Sequence, residues 1–246
     1  MAADRPDPDD PDRDPARYEH HGSIAVITLD DGKANALGFD MIAALQGALD
    51  RAEAEARAVV LAGRPGRFCA GFDLRVLTAG REAAKPLVEA GARLFMRLYG
   101  FPRPVVAACT GHALAGGALL LLVSDARIGA AGAAFKLGLN EVAIGIPLPV
   151  LLRRLAEDRL DPRHRVAATL LAEVYDPAGA RRVGYLDEVV EPDAVLARAV
   201  ARAEALAKLP GRAFARSKTS LREASIRQIE AALDEDLDRI LQAGQQ

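Results

Sequence analysis

The chain has no tryptophan, and aromatic residues make up only 4% of its 246 positions, so it lacks the stacking surfaces on which unpaired bases are held. Its charges nearly cancel, with 32 Lys and Arg against 34 Asp and Glu for a net charge of -2. The two signs are interspersed, which leaves no footprint for a polyanion, and nucleic acid is excluded as a partner. Cysteine is scarce. Cys69 and Cys109 are the only two, too few for a disulfide framework, and their apolar surroundings suit buried thiols in a reducing, cytoplasmic setting. The histidines His20, His21, His112 and His164 show no ligand spacing, so no metal is expected. No apolar segment follows the first Met, and the longest apolar run, Ala113 to Val123, is too short and glycine-broken to cross a bilayer.

What the chain does have is an apolar half, enough to build the core of one large α/β domain or of a domain with a helical appendage. Residues 1–17 are dominated by Asp, Pro and Arg and read as a disordered leader. Ile24 to Leu29 reads as a strand, in a hairpin with Tyr18 to Gly22. Asp40 to Ala56 reads as a helix with Met41, Ile42, Leu45 and Leu49 on one face, feeding a strand at Ala58 to Leu61. That βαβ rhythm implies parallel pairing. A helix at Arg81 to Leu98 is stopped by Phe101-Pro102-Arg103-Pro104. Beyond it come strands at Val105 to Cys109, after Asp125 and at Ala133 to Leu137, then a helix from Pro147 through Ala156. A short strand at Glu188 to Val190 precedes helices at Asp193 to Lys208, Ala213 to Glu223 and Ser225 to Gln242.

Two stretches carry the chemistry. In the first, the strand-like Val105 to Cys109 turns at Gly111 and runs through His112-Ala113-Leu114 to Ala115-Gly116-Gly117, which opens the apolar helix ending near Val123. Glycines at a helix N-terminus present unpaired backbone N–H groups at close range. In the second, Ala58 to Gly63 leads through Arg64-Pro65-Gly66-Arg67 into Phe68-Cys69-Ala70-Gly71-Phe72-Asp73-Leu74. Two such turns aimed at one point would make an oxyanion hole. These two segments, with Lys33-Ala34-Asn35-Ala36-Leu37 before them, resemble the crotonase (enoyl-CoA hydratase/isomerase) superfamily from about Ile24 to the C-terminus.

The resemblance implies an α/β fold with a crotonase-like ββα spiral core over residues 18–190 and a C-terminal helical, oligomerising region over 191–246. It implies an acyl-CoA thioester as substrate, with coenzyme A as part of that substrate and no other cofactor, and a homotrimer or hexamer as the assembly. Carried over by motif, the oxyanion donors are the N–H groups of Ala70 and Gly116, with Gly71, Phe72, Asp73, Leu74, Gly117 and Leu119 lining the thioester. The segment Lys33, Ala34, Ala36 and Leu37 corresponds to the pantetheine and nucleotide end. There Lys33 is either a phosphate contact or a solvated loop lysine. Phe214, Lys218 and Arg222, four residues apart on one helix, resemble the family's C-terminal contribution to the CoA site.

The chain departs from the hydratase pattern in its acid-base residues. Hydration in that family uses two carboxylates, and the first of these positions, three residues after Gly116, is Leu119. The second is filled by Glu141 in Gly138-Leu139-Asn140-Glu141. One carboxylate beside an oxyanion hole suits proton shuttling, and the pattern is closest to the enoyl-CoA delta isomerase branch, which moves a 3-enoyl double bond to the 2-position. Burial beside Leu119 and Ile144 is expected to raise the pKa of Glu141. A hydratase, another CoA-thioester lyase or hydrolase, and a non-catalytic acyl-CoA-binding protein are the alternatives. His112, Asp73 and Cys69 read as structural, and Asp125 and Arg127 as an ion pair with each other.

Overall fold

The computed structural model describes residues 14–243. The described part opens with β1 (Ala16–His21), β2 (Ile24–Leu29) and α1 (Phe39–Glu55) and then winds through three ββα turns. These are β3 (Ala58–Gly63), β4 (Gly66–Cys69), α2 (Leu74–Leu77) and α3 (Arg81–Gly100); β5 (Val105–Cys109), β6 (Gly111–Leu114) and α4 (Gly116–Val123); and β7 (Ala126–Ala130), β8 (Leu137–Gly138) and α5 (Val150–Arg159). Short helices α6 (Arg165–Ala168) and α7 (Pro177–Val183), β9 (Glu188–Val190), α8 (Val195–Ala207) and α9 (Gly211–Ala243) complete the chain. The odd-numbered strand of each turn joins a six-stranded sheet ordered β1-β2-β3-β5-β7-β9, and the even-numbered strand joins a three-stranded sheet ordered β4-β6-β8. All pairings are parallel except β1 with β2.

The apolar runs of β3 and β5 follow from covering on both faces. Alternate residues go to opposite sides: Val59, Leu61, Val105 and Ala107 enter the main core, while Val60, Ala62, Val106 and Ala108 enter a second one. The second core is capped by α8, whose Val195, Ala199, Ala203 and Ala207 recur every four residues on one face. The boundary expected after residue 190 therefore cuts through packing, because α8 is a layer of the core and α9 packs against α3 and α5.

Several expected elements differ. The leader was expected to reach residue 17, but Ala16 and Arg17 already pair with Leu29 and Thr28; residues 1–13 lie outside the described part. Gly111 begins β6 instead of forming a turn, and its bare Cα lets the backbone of Gly66 come so close that a Cβ would lie 2.1 Å from the Gly66 carbonyl carbon. The strand at Ala133 to Leu137 shrinks to Leu137–Gly138 and belongs to the smaller sheet. The two terminal helices are one, Gly211–Ala243, since no Gly or Pro separates Glu223 from Ser225.

Candidate active site

The three strands of the smaller sheet set the site. Cys69 of β4 stands opposite Ala113 of β6, and Ala113 opposite Leu137 of β8. Three residues beyond that row lie Phe72, Gly116 and Asn140, with Glu141 next. Successive turns of the spiral thus bring their post-strand loops to one sheet edge. The first two loops touch: a Cβ on Gly71 would lie 3.1 Å from the Ala115 Cβ and 3.3 Å from the Gly116 N, and one on Gly116 would lie 3.3 Å from the Gly71 Cα. The backbone of Gly71 runs at φ +97°, where only glycine is unstrained. Gly117 is packed tighter still, with a Cβ position 2.0 Å from the Cys69 carbonyl oxygen.

The first expected donor is corrected here. The Ala70 N–H is spent on the Ala34 carbonyl at 3.1 Å, so it has nothing to offer a ligand. Leu37 forms a parallel bridge with Phe72, its N–H donating to the Gly71 carbonyl at 2.8 Å and its carbonyl accepting from the Asp73 N–H at 3.2 Å. In a parallel bridge the flanking peptide groups make the bonds, which turns the Phe72 N–H the other way. Among the described residues neither the Phe72 N–H nor the Gly116 N–H has an acceptor. The free pair is therefore Phe72 and Gly116. Ala115 holds φ +49° and ψ -119°, and that ψ orients the peptide carrying the Gly116 N–H. Its own N–H donates to the Gly138 carbonyl of the third turn at 3.0 Å.

Asn35 went unremarked in the sequence, yet it ties the first loop down. Fully buried at φ +54°, its Nδ2 donates to the carbonyls of Leu29 (2.9 Å), Arg67 (3.2 Å) and Phe68 (3.1 Å). Its Oδ1 accepts from the Asp31 N–H at 3.1 Å, while the Asp31 carboxylate accepts from the N–H groups of Lys33, Asn35 and Ala36. Lys33 is exposed, Ala34 and Ala36 are half-buried and Leu37 is fully buried. The only sequence signal for Asn35 was a polar residue enclosed by alanines in an otherwise apolar motif.

Glu141 is 8% exposed, and its Oε2 has no hydrogen-bond partner among the described residues. Removal from water pushes its pKa up to about 7. Leu119, buried at 5% exposure on α4, occupies the position of the missing carboxylate, but Ile144 is 50% exposed and does not enclose the glutamate as expected. The Asn140 Oδ1 is likewise buried without a partner.

The remaining candidates sort by their contacts. Asp73 caps α2: its carboxylate accepts from the Arg75 N–H and guanidinium, and the latter holds its pKa down. Leu74 is 63% exposed. His112 Nδ1 accepts from the Lys136 N–H at 3.1 Å, and burial together with Arg67 and Lys136 lowers its pKa. Burial raises both thiols to about 12, which makes Cys69 and Cys109 inert. Among the described residues, no group of three or more His, Cys, Asp or Glu could hold a metal ion, and no helix is long and apolar enough to cross a membrane.

The expected ion pair between Asp125 and Arg127 does not form. Asp125 pairs with Lys218 Nζ (2.7 Å) and Arg222 (2.8 Å), whereas Arg127 pairs with Asp187. Lys218 is thereby withdrawn from the substrate-facing residues. It is buried and it also donates to the Arg103 carbonyl, and desolvation lowers its pKa to about 8. Arg103 and Asp125 precede β5 and β7, so Lys218 sits at the start of those strands while the donor loops follow the strands of the smaller sheet. Phe214, half-buried with its ring 5.7 Å from Lys218 Nζ, shares that end and lines a 390 Å³ cavity with Arg57, Arg103 and Gly211.

Known proteins share this sequence pattern and fold. The family model described as enoyl-CoA hydratase/isomerase matches residues 19–246. The chain is 30% identical over 223 residues to the human mitochondrial enoyl-CoA delta isomerase 1, covering 89% of this chain and 74% of that protein. It is 36% identical over 219 residues to a probable enoyl-CoA hydratase of Rhodobacter capsulatus, covering 82% and 79%. The crystal structure of an enoyl-CoA hydratase/isomerase family protein from Pseudomonas syringae matches with a TM-score of 0.90 at 39% identity, over 93% of this chain and 99% of that one. With its spiral of ββα turns and two facing glycine loops, the chain belongs to the enoyl-CoA hydratase/isomerase family, the crotonase superfamily.

Proposed function

We propose that this family member shifts the double bond of a 3-enoyl-CoA to the 2-position. The Glu141 carboxylate takes a proton from C2, the electron pair moves into the thioester, and the resulting dienolate oxygen is held by the N–H groups of Phe72 and Gly116. Protonated Glu141 then returns the proton to C4, which leaves the double bond between C2 and C3. One proton leaves and one returns, so no cofactor is consumed. Losing one preorganised donor in such a hole costs about 3 to 4 kcal/mol. The observation that carries the reading is Glu141 itself: a buried carboxylate with an unpartnered oxygen and a pKa near 7, in a chain that has leucine at the other carboxylate position. Contact of Gly71, Leu37, Ala34, Ala36 and Lys33 with the thioester and pantetheine is part of the same proposal, supported by the hydrogen bonds that tie their segment to the first donor loop. A cytoplasmic homotrimer or hexamer belongs to the same proposal, and sedimentation of the purified chain tests the assembly.

The deciding assay follows the conjugated thioester absorbance with two substrates. A 3-hexenoyl-CoA is expected to gain that absorbance and crotonyl-CoA to keep it. The second reading, hydration, is favoured by the relative named a probable enoyl-CoA hydratase; rapid loss of crotonyl-CoA absorbance with no shift of the 3-enoyl thioester would establish it instead.

A further inference from the structure

Helix α3 touches both free donors through two residues one turn apart. The ring of Phe72 is seated on Gly91: a Cβ there would lie 2.2 Å from Cε1 and 2.3 Å from Cζ of that ring. Glycine is an unfavourable residue in the interior of a 20-residue helix, and here its missing methyl is the notch that admits the ring. Four residues on, and so on the same face, Phe95 is buried and meets the Phe72 ring edge-on at 6.1 Å between centroids and 77°. The other side of Phe95 faces the second loop, with Cζ 3.5 Å from the Cβ position of Gly116. One face of one helix therefore bears on the side chain of one donor residue and on the backbone of the other.

We propose that Gly91 and Phe95 are positioning residues that keep the Phe72 and Gly116 N–H groups in register, so that the alignment of the oxyanion hole is set by the seating of α3. The inference rests on the hole described above. It attributes to the Phe72 side chain a task separate from that of its amide: the ring is the anchor by which α3 holds the first loop. A methyl at Gly91 pushes that ring out of its notch, and the loop must turn with it. Because the donor is displaced and not deleted, the loss is smaller than for removal of a hole donor.

The test is a double-mutant cycle with Gly91→Ala and Phe72→Ala, read by kcat and KM on a 3-enoyl-CoA. It is also read by the red shift of a bound dimethylaminocinnamoyl-CoA, whose absorption reports polarisation of its carbonyl without turnover. Each single change is expected to lower kcat about tenfold with KM within about twofold and to shrink the red shift, and the double variant is expected to be no worse than Phe72→Ala alone. Losses that multiply, or a Gly91→Ala protein with unchanged kcat and red shift, would overturn the proposal. Should Gly91→Ala fail to fold, Phe95→Leu carries the test: it keeps an apolar group of similar reach and is expected to lower kcat about threefold with a reduced red shift, and an unaltered red shift overturns the proposal. A wild-type protein that binds the probe with no red shift defeats the hole itself, whereas a wild-type red shift with turnover on neither substrate defeats only the isomerase reading.

Discussion

The loop after β6 and the loop after β4 present the same group, a free backbone N–H, and are held in place by different means. Gly116 opens α4, whose eight residues are all buried, and Ala115 is clamped to the third turn through the Gly138 carbonyl. Phe72 is followed by α2, which buries none of its four residues. Its loop borrows order from outside, through hydrogen bonds to Ala34 and Leu37, the Asn35 side chain beneath them, and contact with α3. Enclosure fixes one donor and adjoining segments fix the other. The second arrangement is the one that single substitutions can loosen, since few buried apolar contacts oppose local opening.

The largest effect is expected from a change that leaves both loops intact. Glu141→Gln removes the proposed proton carrier and should lower isomerisation by about 10³-fold, with affinity for a saturated acyl-CoA held within about twofold when measured by calorimetry. An undiminished rate would detach Glu141 from the chemistry and leave the two loops as a binding device. In the proposed mechanism the carboxylate form is the base, so kcat should rise with pH through about 7. Stability should move the opposite way. With its folded pKa above the ordinary 4.5, Glu141 binds more protons folded than unfolded across that interval, so its contribution is full below about pH 4.5 and is lost as pH rises to about 7. Glu141→Gln is therefore expected to raise stability at pH 8 by up to about 3 kcal/mol and to leave it unchanged at pH 4. Urea unfolding at both pH values measures this.

Breaking the outside support of the first loop alone is the next test. Asn35→Ala strands the buried carbonyls of Leu29 and Phe68 and puts alanine at φ +54°. Unsatisfied buried groups cost about 1 to 3 kcal/mol each, so a loss of about 2 to 4 kcal/mol is expected in urea unfolding. Activity should fall beyond the stability effect, measured well below the unfolding transition, because Phe72 loses its footing while Gly116 keeps its own. A variant as active as wild type would mean that the first loop is held by α3 alone.

These contrasts mark what the sequence could tell. The apolar runs of β3 and β5 and the helix opening at Gly116 were legible because each depends on local periodicity and turn chemistry, whereas Glu141 was marked by the family resemblance. The identity of the first donor was not. Ala70 and Phe72 differ in which of their amides is already spent, and that is settled by Ala34 and Leu37, more than thirty residues earlier. Lys218 failed for a related reason: four-residue spacing with Phe214 and Arg222 puts it on one helix face, but the face meets Asp125, nearly a hundred residues away, which claims its charge. The sequence reading of two helices, Ala213 to Glu223 and Ser225 to Gln242, gives way to the single helix α9 because helix propensity continues through Ala224 without a break.

The smallest expected effect tests the enclosed loop. At φ +49° and ψ -119°, Ala115 adopts a backbone that glycine takes freely and that costs a residue with a Cβ about 1 to 3 kcal/mol. Ala115→Gly removes that strain but gives the unfolded chain more freedom, so stability is expected to change by less than about 1 kcal/mol, read as a small shift of Tm. The same freedom reaches the peptide between residues 115 and 116, whose rotation swings the Gly116 N–H. If the buried α4 and the bond to Gly138 fix that donor, kcat should fall by only about twofold, far less than for Asn35→Ala. A fall as large as that of the Asn35 variant would show that backbone strain at Ala115, and not enclosure, holds the second amide, and the two loops would then differ in exposure but not in how they are aligned.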